Sequence, residues 1–155
     1  MPLPLRALFW LVLPAVTLIW IPSFFWTRER PVGVTRFVGA PLIVVGAAIL
    51  LYCVLGFASK GKGTLSPVDP PKRLVTSGLY RFVRNPMYVG GVLVLVGQAI
   101  LLRSSGLLLY AFIWWLAVHL FIVLYEEPHL RSVFGSEYEE YRRGVPRWIA
   151  RPRKR

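Results

Sequence analysis

Four apolar stretches separated by short basic segments constrain this chain most: Ala7 to Trp26, Phe37 to Phe57, Tyr88 to Leu102 and Leu107 to Tyr125. At a rise of about 1.5 Å per residue, the first, second and fourth extend roughly 28 to 32 Å, which matches a bilayer hydrocarbon core of about 30 Å. The third reaches only about 22 Å. It is followed by Arg103, Ser104, Ser105 and Gly106, a turn suited to closing a helical hairpin with the fourth. The expectation is an all-α, polytopic membrane protein with about four transmembrane helices, the third of them short. The first run follows Arg6 as a signal peptide would, but no small-residue cleavage pattern succeeds it, so it reads as a retained anchor. Pro14 and Pro22 within it are tolerable, because membrane helices accept proline where neighbours satisfy the freed carbonyls.

Charge then orients the chain. The formal net charge of +12 is compatible with a nucleic-acid binder, but such a protein gathers its basic residues on a soluble face. Here they lie in the gaps between apolar runs. With 55% apolar residues and 17% charged, the composition excludes a soluble nucleic-acid module and a disordered tail, and the single Cys53 excludes a disulfide scaffold. Cys53 sits within an apolar run and reads as a small core hydrophobe. With four crossings, 15 of the 19 Lys and Arg and six of the seven acidic residues fall on one side. The positive-inside rule makes that side cytoplasmic. Its chemistry-bearing segments therefore share one face of the membrane.

The first such segment is the loop from Ala58 to Arg84, broken by Gly61, Gly63, Pro67, Pro70 and Pro71, which runs into GLYRFVRNPMYVGG, Gly78 to Gly91. Pro86 keeps Asn85 out of the helical region and suits the first turn of the helix it opens. That places a helix N-terminus, with its free amides, beside Tyr80, Arg81, Arg84 and Asn85, an arrangement that favours an anion. Gly90 and Gly91 remove side-chain bulk and permit close approach of a helix or a ligand. Arginines at a cytoplasmic membrane edge also serve simply to meet lipid headgroups.

The second segment opens with Glu126, Glu127 and Pro128, where the fourth apolar run ends. Two carboxylates at a helix C-terminus oppose the macrodipole, which suggests a cationic partner, or pairing with Arg81, Arg84 or Arg131. Beyond them Leu130, Val133, Phe134, Tyr138 and Tyr141 follow helical spacing, and Ser136 with Glu139 forms a capping-box pattern after Gly135. Two short amphipathic helices at the membrane surface are expected. The tail, from Arg142 to Arg155, suits anionic lipid headgroups, although Arg142, Arg143 and Arg147 lie closer to the Glu pair. His119 precedes Glu126 by seven residues and shares its helix face. His119 and His129 have no Cys or carboxylate at ligand spacing, so no metal site is expected.

Three motifs, GTLSPVDPP (Gly63 to Pro71), GLYRFVRNPMYVGG and EEPHLRSVFGSEYEEYRRGVPR (Glu126 to Arg147), resemble those of the isoprenylcysteine carboxyl methyltransferase and phospholipid methyltransferase superfamily of integral-membrane enzymes. The likeness covers roughly residues 60 to 149. Together with the apolar runs, it leads to the expectation of one membrane domain over residues 1–155, with two N-terminal helices (1–57), a cofactor-binding core (58–149) and a basic tail (150–155). It also implies S-adenosyl-L-methionine held between an Arg-His-Pro-x-Tyr region and a Glu-Glu region. Asn85 stands at the histidine position, so a hydrogen bond to the cofactor can be kept there but a titratable imidazole cannot.

On this reading the cofactor site comprises Tyr80, Arg81, Arg84, Asn85, Pro86, Tyr88, Gly90, Gly91, Glu126 and Glu127. Arg81, Arg84 or the helix start would hold the cofactor's carboxylate, and Glu126 or Glu127 its ammonium. Arg143 or Arg147 would face an anionic acceptor, and His119 would serve as base for an amine. The methyl acceptor is a lipophilic or small molecule, the lipid bilayer is the surrounding partner, and nothing calls for nucleic acid or an obligatory protein partner. A non-catalytic membrane anchor would explain the spans and the charge, but not a Glu pair beside an Arg-rich turn.

Overall fold

A computed structural model describes residues 14–26, 33–60 and 74–150. The Gly63 to Pro71 motif, the start of the first apolar run and the tail 151–155 lie outside the described residues. Every regular element among the described residues is helical. The first segment, 14–26 (α1), runs through a π turn at Val16–Trp20, an α turn at Ile21–Ser23 and a 3₁₀ turn at Phe24–Trp26. Then follow α2 (Arg36–Lys60), α3 (Pro86–Leu101), α4 (Ser105–Phe121), α5 (Glu127–Phe134) and α6 (Ser136–Gly144).

Arg36–Gly56 and Ser105–Phe134 are long and apolar enough to cross a membrane. Their outward faces carry Val44, Val45, Leu51 and Leu55 on one and Leu109, Phe112, Ile113 and Leu120 on the other, all exposed. A soluble protein does not leave so much apolar surface to water, so a bilayer is the solvent these faces fit. At 16 residues, α3 is shorter, as the apolar run suggests. It is also the most buried helix, with Gly90, Gly91, Val94, Leu95, Gly97, Gln98 and Ala99 enclosed.

Glycine sets how closely α2 approaches α3. A Cβ on Gly39 would sit 2.7 Å from the Gly97 carbonyl, and one on Gly46 would sit 2.6 Å from that of Gly90. The two contacts, seven residues apart on each helix, bring the antiparallel backbones together along two turns. The expected hairpin between α3 and α4 is present. Arg103 turns left-handed at φ 50°, the Ser104 amide donates back to the Ala99 carbonyl at 3.0 Å, and Ser104 Oγ caps α4 by accepting from the Leu107 amide at 3.3 Å.

Two expectations change in the structure. The Glu pair does not close a helix, because the backbone continues from α4 through a π turn at Ile122–Glu126 into α5, with Glu127 helical at φ −65°, ψ −44°. Widening the turn lets the chain pass Pro128, which has no amide to donate and would crowd the carbonyl four residues before it. The Ser136–Glu139 capping box does not form either. Gly135, at φ 52°, takes the cap position and its carbonyl accepts from the Glu139 amide. The Glu139 carboxylate turns instead to Arg131 at 2.6 Å and Arg142 at 3.3 Å.

Candidate active site

The turn before α3, the start of α5 and the segment after α6 converge on Glu127. Pro86 holds Asn85 at φ −126°, ψ 54°, so the backbone arrives at α3 from the side and Arg84 points back across the helix start. Arg84 Nη1 lies 3.2 Å from Glu127 Oε1 and donates to Tyr138 Oη at 3.3 Å. Arg147 meets the same carboxylate with two hydrogen bonds, Nε to Oε1 at 2.7 Å and Nη2 to Oε2 at 3.0 Å. The side chains of Glu127, Arg84 and Arg147 are 9%, 11% and 27% exposed. Two guanidinium groups thus share one carboxylate in a largely enclosed setting, where charge-assisted hydrogen bonds are strong. The Glu127 hydrogen bond holds the Arg147 guanidinium above its usual range and so fully charged.

A second carboxylate lies one residue earlier. Glu126 Oε2 accepts from the Tyr88 hydroxyl at 3.3 Å, and it pairs with no cation among the described residues. Tyr80 belongs to the same corner. Burial, with Cys53 and Glu126 nearby, pushes its phenol well above the ordinary range, and its backbone carbonyl accepts from the Tyr141 hydroxyl at 2.7 Å. Burial likewise raises Tyr141. Both therefore act as neutral hydroxyl groups.

Backbone ties finish the enclosure. The Arg84 amide donates to the Pro146 carbonyl at 2.9 Å, and Asn85 Nδ2 donates to the Arg147 carbonyl at 3.4 Å. Asn85 thus spends its side-chain amide on a backbone tie to the segment after α6. Arg84 Nε is buried with no acceptor among the described residues. In an enclosed cluster such an unfilled donor is a place where an anionic group fits.

Of the residues singled out in the sequence, Tyr80, Arg84, Asn85, Tyr88, Glu126, Glu127 and Arg147 gather at this corner. Pro86 shapes it from the helix start. Gly90 and Gly91 are enclosed by helix packing, Gly90 against Gly46 and Gly91 against the Trp114 ring, where an added Cβ would meet a ring carbon at 2.7 Å. Arg81 is exposed with its guanidinium over Phe82 at 5.9 Å, and Arg143 is exposed on α6 and makes none of the cluster's contacts. His119 lies lower on α4, where its Nδ1 accepts from Trp148 Nε1 at 3.1 Å. Helical spacing marks Tyr138 and Tyr141 only as part of an amphipathic helix, and it carries no signal for Pro146 or Trp148. The VPRW run, Val145 to Trp148, was the available signal, because an aromatic and an arginine behind a proline suit a segment that docks rather than trails.

Residues 34–137 match the model of the phospholipid methyltransferase family. Over 149 residues the chain is 30% identical to a methanethiol S-methyltransferase of Bradyrhizobium diazoefficiens, covering 92% of this chain and 49% of that one. It is 40% identical over 77 residues to a protein-S-isoprenylcysteine O-methyltransferase of Schizosaccharomyces pombe, covering 49% and 32%. Over 69 residues it is 33% identical to a phosphatidylethanolamine N-methyltransferase of Yarrowia lipolytica, covering 44% and 7%. The chain spans about half or less of the length of these curated relatives. Since the family match takes in two membrane-length helices, the Arg84 turn and the Glu pair, the chain belongs to the phospholipid methyltransferase family of membrane methyltransferases.

Proposed function

We propose that the chain is an S-adenosylmethionine-dependent methyltransferase that crosses the membrane four times, keeps its site and C-terminus on the basic cytoplasmic side, and methylates a lipophilic or small acceptor. The observation that most supports this reading is the sharing of Glu127 by Arg84 and Arg147 beside Glu126, which pairs with no cation among the described residues. Two arginines on one glutamate leave a net positive charge, and Arg84 Nε has no acceptor among the described residues. An anion is favoured there and a cation at Glu126. S-adenosylmethionine carries both, an α-carboxylate for the arginines and an α-ammonium for Glu126, and the Tyr88 ring offers a face for its sulfonium.

This division refines the assignment open in the sequence. Glu127 organises the arginines, and Glu126 is the carboxylate available to the cofactor. When bound, S-adenosylmethionine supplies an electrophilic methyl group to an in-line nucleophile. The chain contributes by orienting both ends of the cofactor and by excluding water. The acceptor is proposed at the level its relatives' names share, since those names include a phospholipid, a prenylated cysteine and a small thiol.

Calorimetry on the full chain in lipid nanodiscs tests the assignment. Wild type should bind S-adenosylmethionine and Glu126→Gln should bind it about tenfold more weakly or worse, the range for losing a charge-assisted contact. Unchanged affinity in Glu126→Gln sinks the role of Glu126. If wild type neither binds the cofactor nor transfers a radiolabelled methyl group to a lipid or thiol extract, the protein is a membrane anchor.

A further inference from the structure

Below the Glu127 cluster, on the membrane side, His119, Trp115 and Trp148 form a group that the proposed reaction does not use. The Trp115 and His119 rings stack with centroids 5.4 Å apart, and Trp148 lies 6.0 Å from each. His119 precedes Glu127 by eight residues, about 12 Å along the helix. Residues 145–148 therefore run from the end of α6, across the Arg84 turn and Glu127, to His119 in the last turn of α4. Val145 leaves α6 extended at φ −125°, ψ 122°. Pro146 and Arg147 then offer their carbonyls to Arg84 and Asn85, the Arg147 guanidinium grips Glu127, and the Trp148 indole reaches His119.

The last contact is the anchor farthest from the cluster. The Asn85 bond to this segment is long at 3.4 Å, and Arg147 is the most exposed of the three charged partners. Without a fixed point beyond Arg147, a segment outside any helix has several ways to place its guanidinium. A packed, hydrogen-bonded indole removes that freedom, as supporting residues do in other preorganised sites.

We propose that Trp148 is a positioning residue. Its N–H on His119 Nδ1 and its ring on Trp115 clamp residues 145–148 so that Arg147 stays bidentate on Glu127. Because Nδ1 accepts this bond, His119 carries its proton on Nε2 and acts as the clamp's seat rather than as a base through Nδ1. The importance of the clamp for binding rests on the cofactor reading above.

Hydrogen exchange by mass spectrometry, without cofactor, tests the clamp on the full chain in nanodiscs. The reporter is the Arg84 amide, whose acceptor is Pro146. Trp148→Phe keeps a ring and loses the N–H, while His119→Phe loses the acceptor. Each should speed exchange at residues 83–85 about three- to tenfold, the range for one hydrogen bond, and the double variant no further. Trp148→Ala, which loses the ring too, should exceed both, and peptides from the α2–α3 contact should not change.

Cofactor affinity supplies the second readout. Trp148→Phe should weaken S-adenosylmethionine binding in the wild-type background and have no further effect in Arg147→Lys, as expected if it acts through Arg147. Wild-type exchange at Arg84 in Trp148→Phe and His119→Phe, or additive losses of binding with Arg147→Lys, overturns the proposal. If exchange responds but wild type binds no S-adenosylmethionine, the clamp stands and the cofactor reading falls.

Discussion

Val16–Trp20 and Ile122–Glu126 are both π turns, and each ends two residues before a proline, Pro22 in the first and Pro128 in the second. In each, the residue before the proline donates five residues back, Ile21 to Val16 and Glu127 to Ile122. The extra residue widens the helix past the proline ring, which lets a long apolar helix contain a residue that ordinarily stops one. The surroundings differ. At the first turn, side chains from other helices donate to the carbonyls of Thr17 and Leu18. Tyr110 donates to Thr17 at 2.9 Å and Gln98 donates to Leu18 at 2.9 Å. The second turn ends in Glu126, and its exposed Leu124 and half-exposed Tyr125 face outward. The first turn likewise leaves Ile19 and Trp20 exposed, so what separates the two is not burial: one has its carbonyls tied to α3 and α4, and the other delivers a carboxylate to the site.

The sharpest difference is expected at Glu127. Removing its charge leaves Arg84 and Arg147 without a counter-ion in an enclosed place, and breaking a buried pair from one side costs about 3 to 5 kcal/mol. Glu127→Gln should show that loss in denaturant unfolding of the detergent-solubilised protein. Glu126→Gln, which strands no arginine among the described residues, should unfold close to wild type while losing cofactor affinity. Equal destabilisation by the two would erase the division of labour between the neighbouring carboxylates.

The first turn should fail in the opposite sense. Gln98→Leu leaves the Leu18 carbonyl buried without its donor, at a penalty of about 1 to 3 kcal/mol, and should leave S-adenosylmethionine affinity unchanged. A stability loss confined to this variant, with binding intact, would mark the first π turn as architecture. A binding loss comparable to that of Glu126→Gln would mean that the two turns are coupled through α3 and α4.

Much of this was legible in the chain, and the illegible parts have a common cause. The apolar runs gave α2 and the α3–α4 hairpin, because hydrophobic length and the Arg103 to Gly106 turn are local signals. Pairing of Glu127 with Arg84 was among the alternatives open to the sequence. That the Glu pair interrupts a helix instead of ending it was not legible, because proline reads as a terminator unless the turn before it widens, and nothing local announces a π turn. The Ser136 to Glu139 pattern misled for a related reason. Gly135 took the cap with a positive φ, and Arg131 and Arg142 outbid the backbone for the Glu139 side chain. Trp148 on His119 joins residues 29 apart, beyond what any pattern of spacing carries.

Proline replacement tests the comparison directly, with an effect smaller than that of Glu127. Pro128→Ala restores an amide and removes the reason for the widened turn. If the helix then closes to α geometry, everything on one side of the junction rotates by about 100° relative to the other, one residue's share of a turn. Glu126 would lose Tyr88, and cofactor affinity should fall about tenfold while unfolding stability holds or rises, since proline is the poorest helix former. Pro22→Ala should leave affinity as it is, because Gln98 and Tyr110 still hold their carbonyls. Identical affinity in Pro128→Ala and wild type would show that the π turn is kept by other contacts and that Pro128 does not aim Glu126.

The smallest effect belongs to the Tyr88 hydroxyl. Its 3.3 Å bond to Glu126 Oε2 orients a carboxylate that no arginine among the described residues holds, whereas Glu127 is fixed from two sides. Tyr88→Phe keeps the ring, and with it the aromatic face offered to a sulfonium, and removes one hydrogen bond, worth about 0.5 to 1.5 kcal/mol. Cofactor affinity should therefore drop by about two- to tenfold, less than in Glu126→Gln, with stability within about 1 kcal/mol of wild type. In a Glu126→Gln background the same substitution should change little further, since the carboxylate it orients is gone. A full additional loss there would mean that Tyr88 meets the cofactor on its own account, and the second π turn would then present two independent contacts rather than one oriented carboxylate.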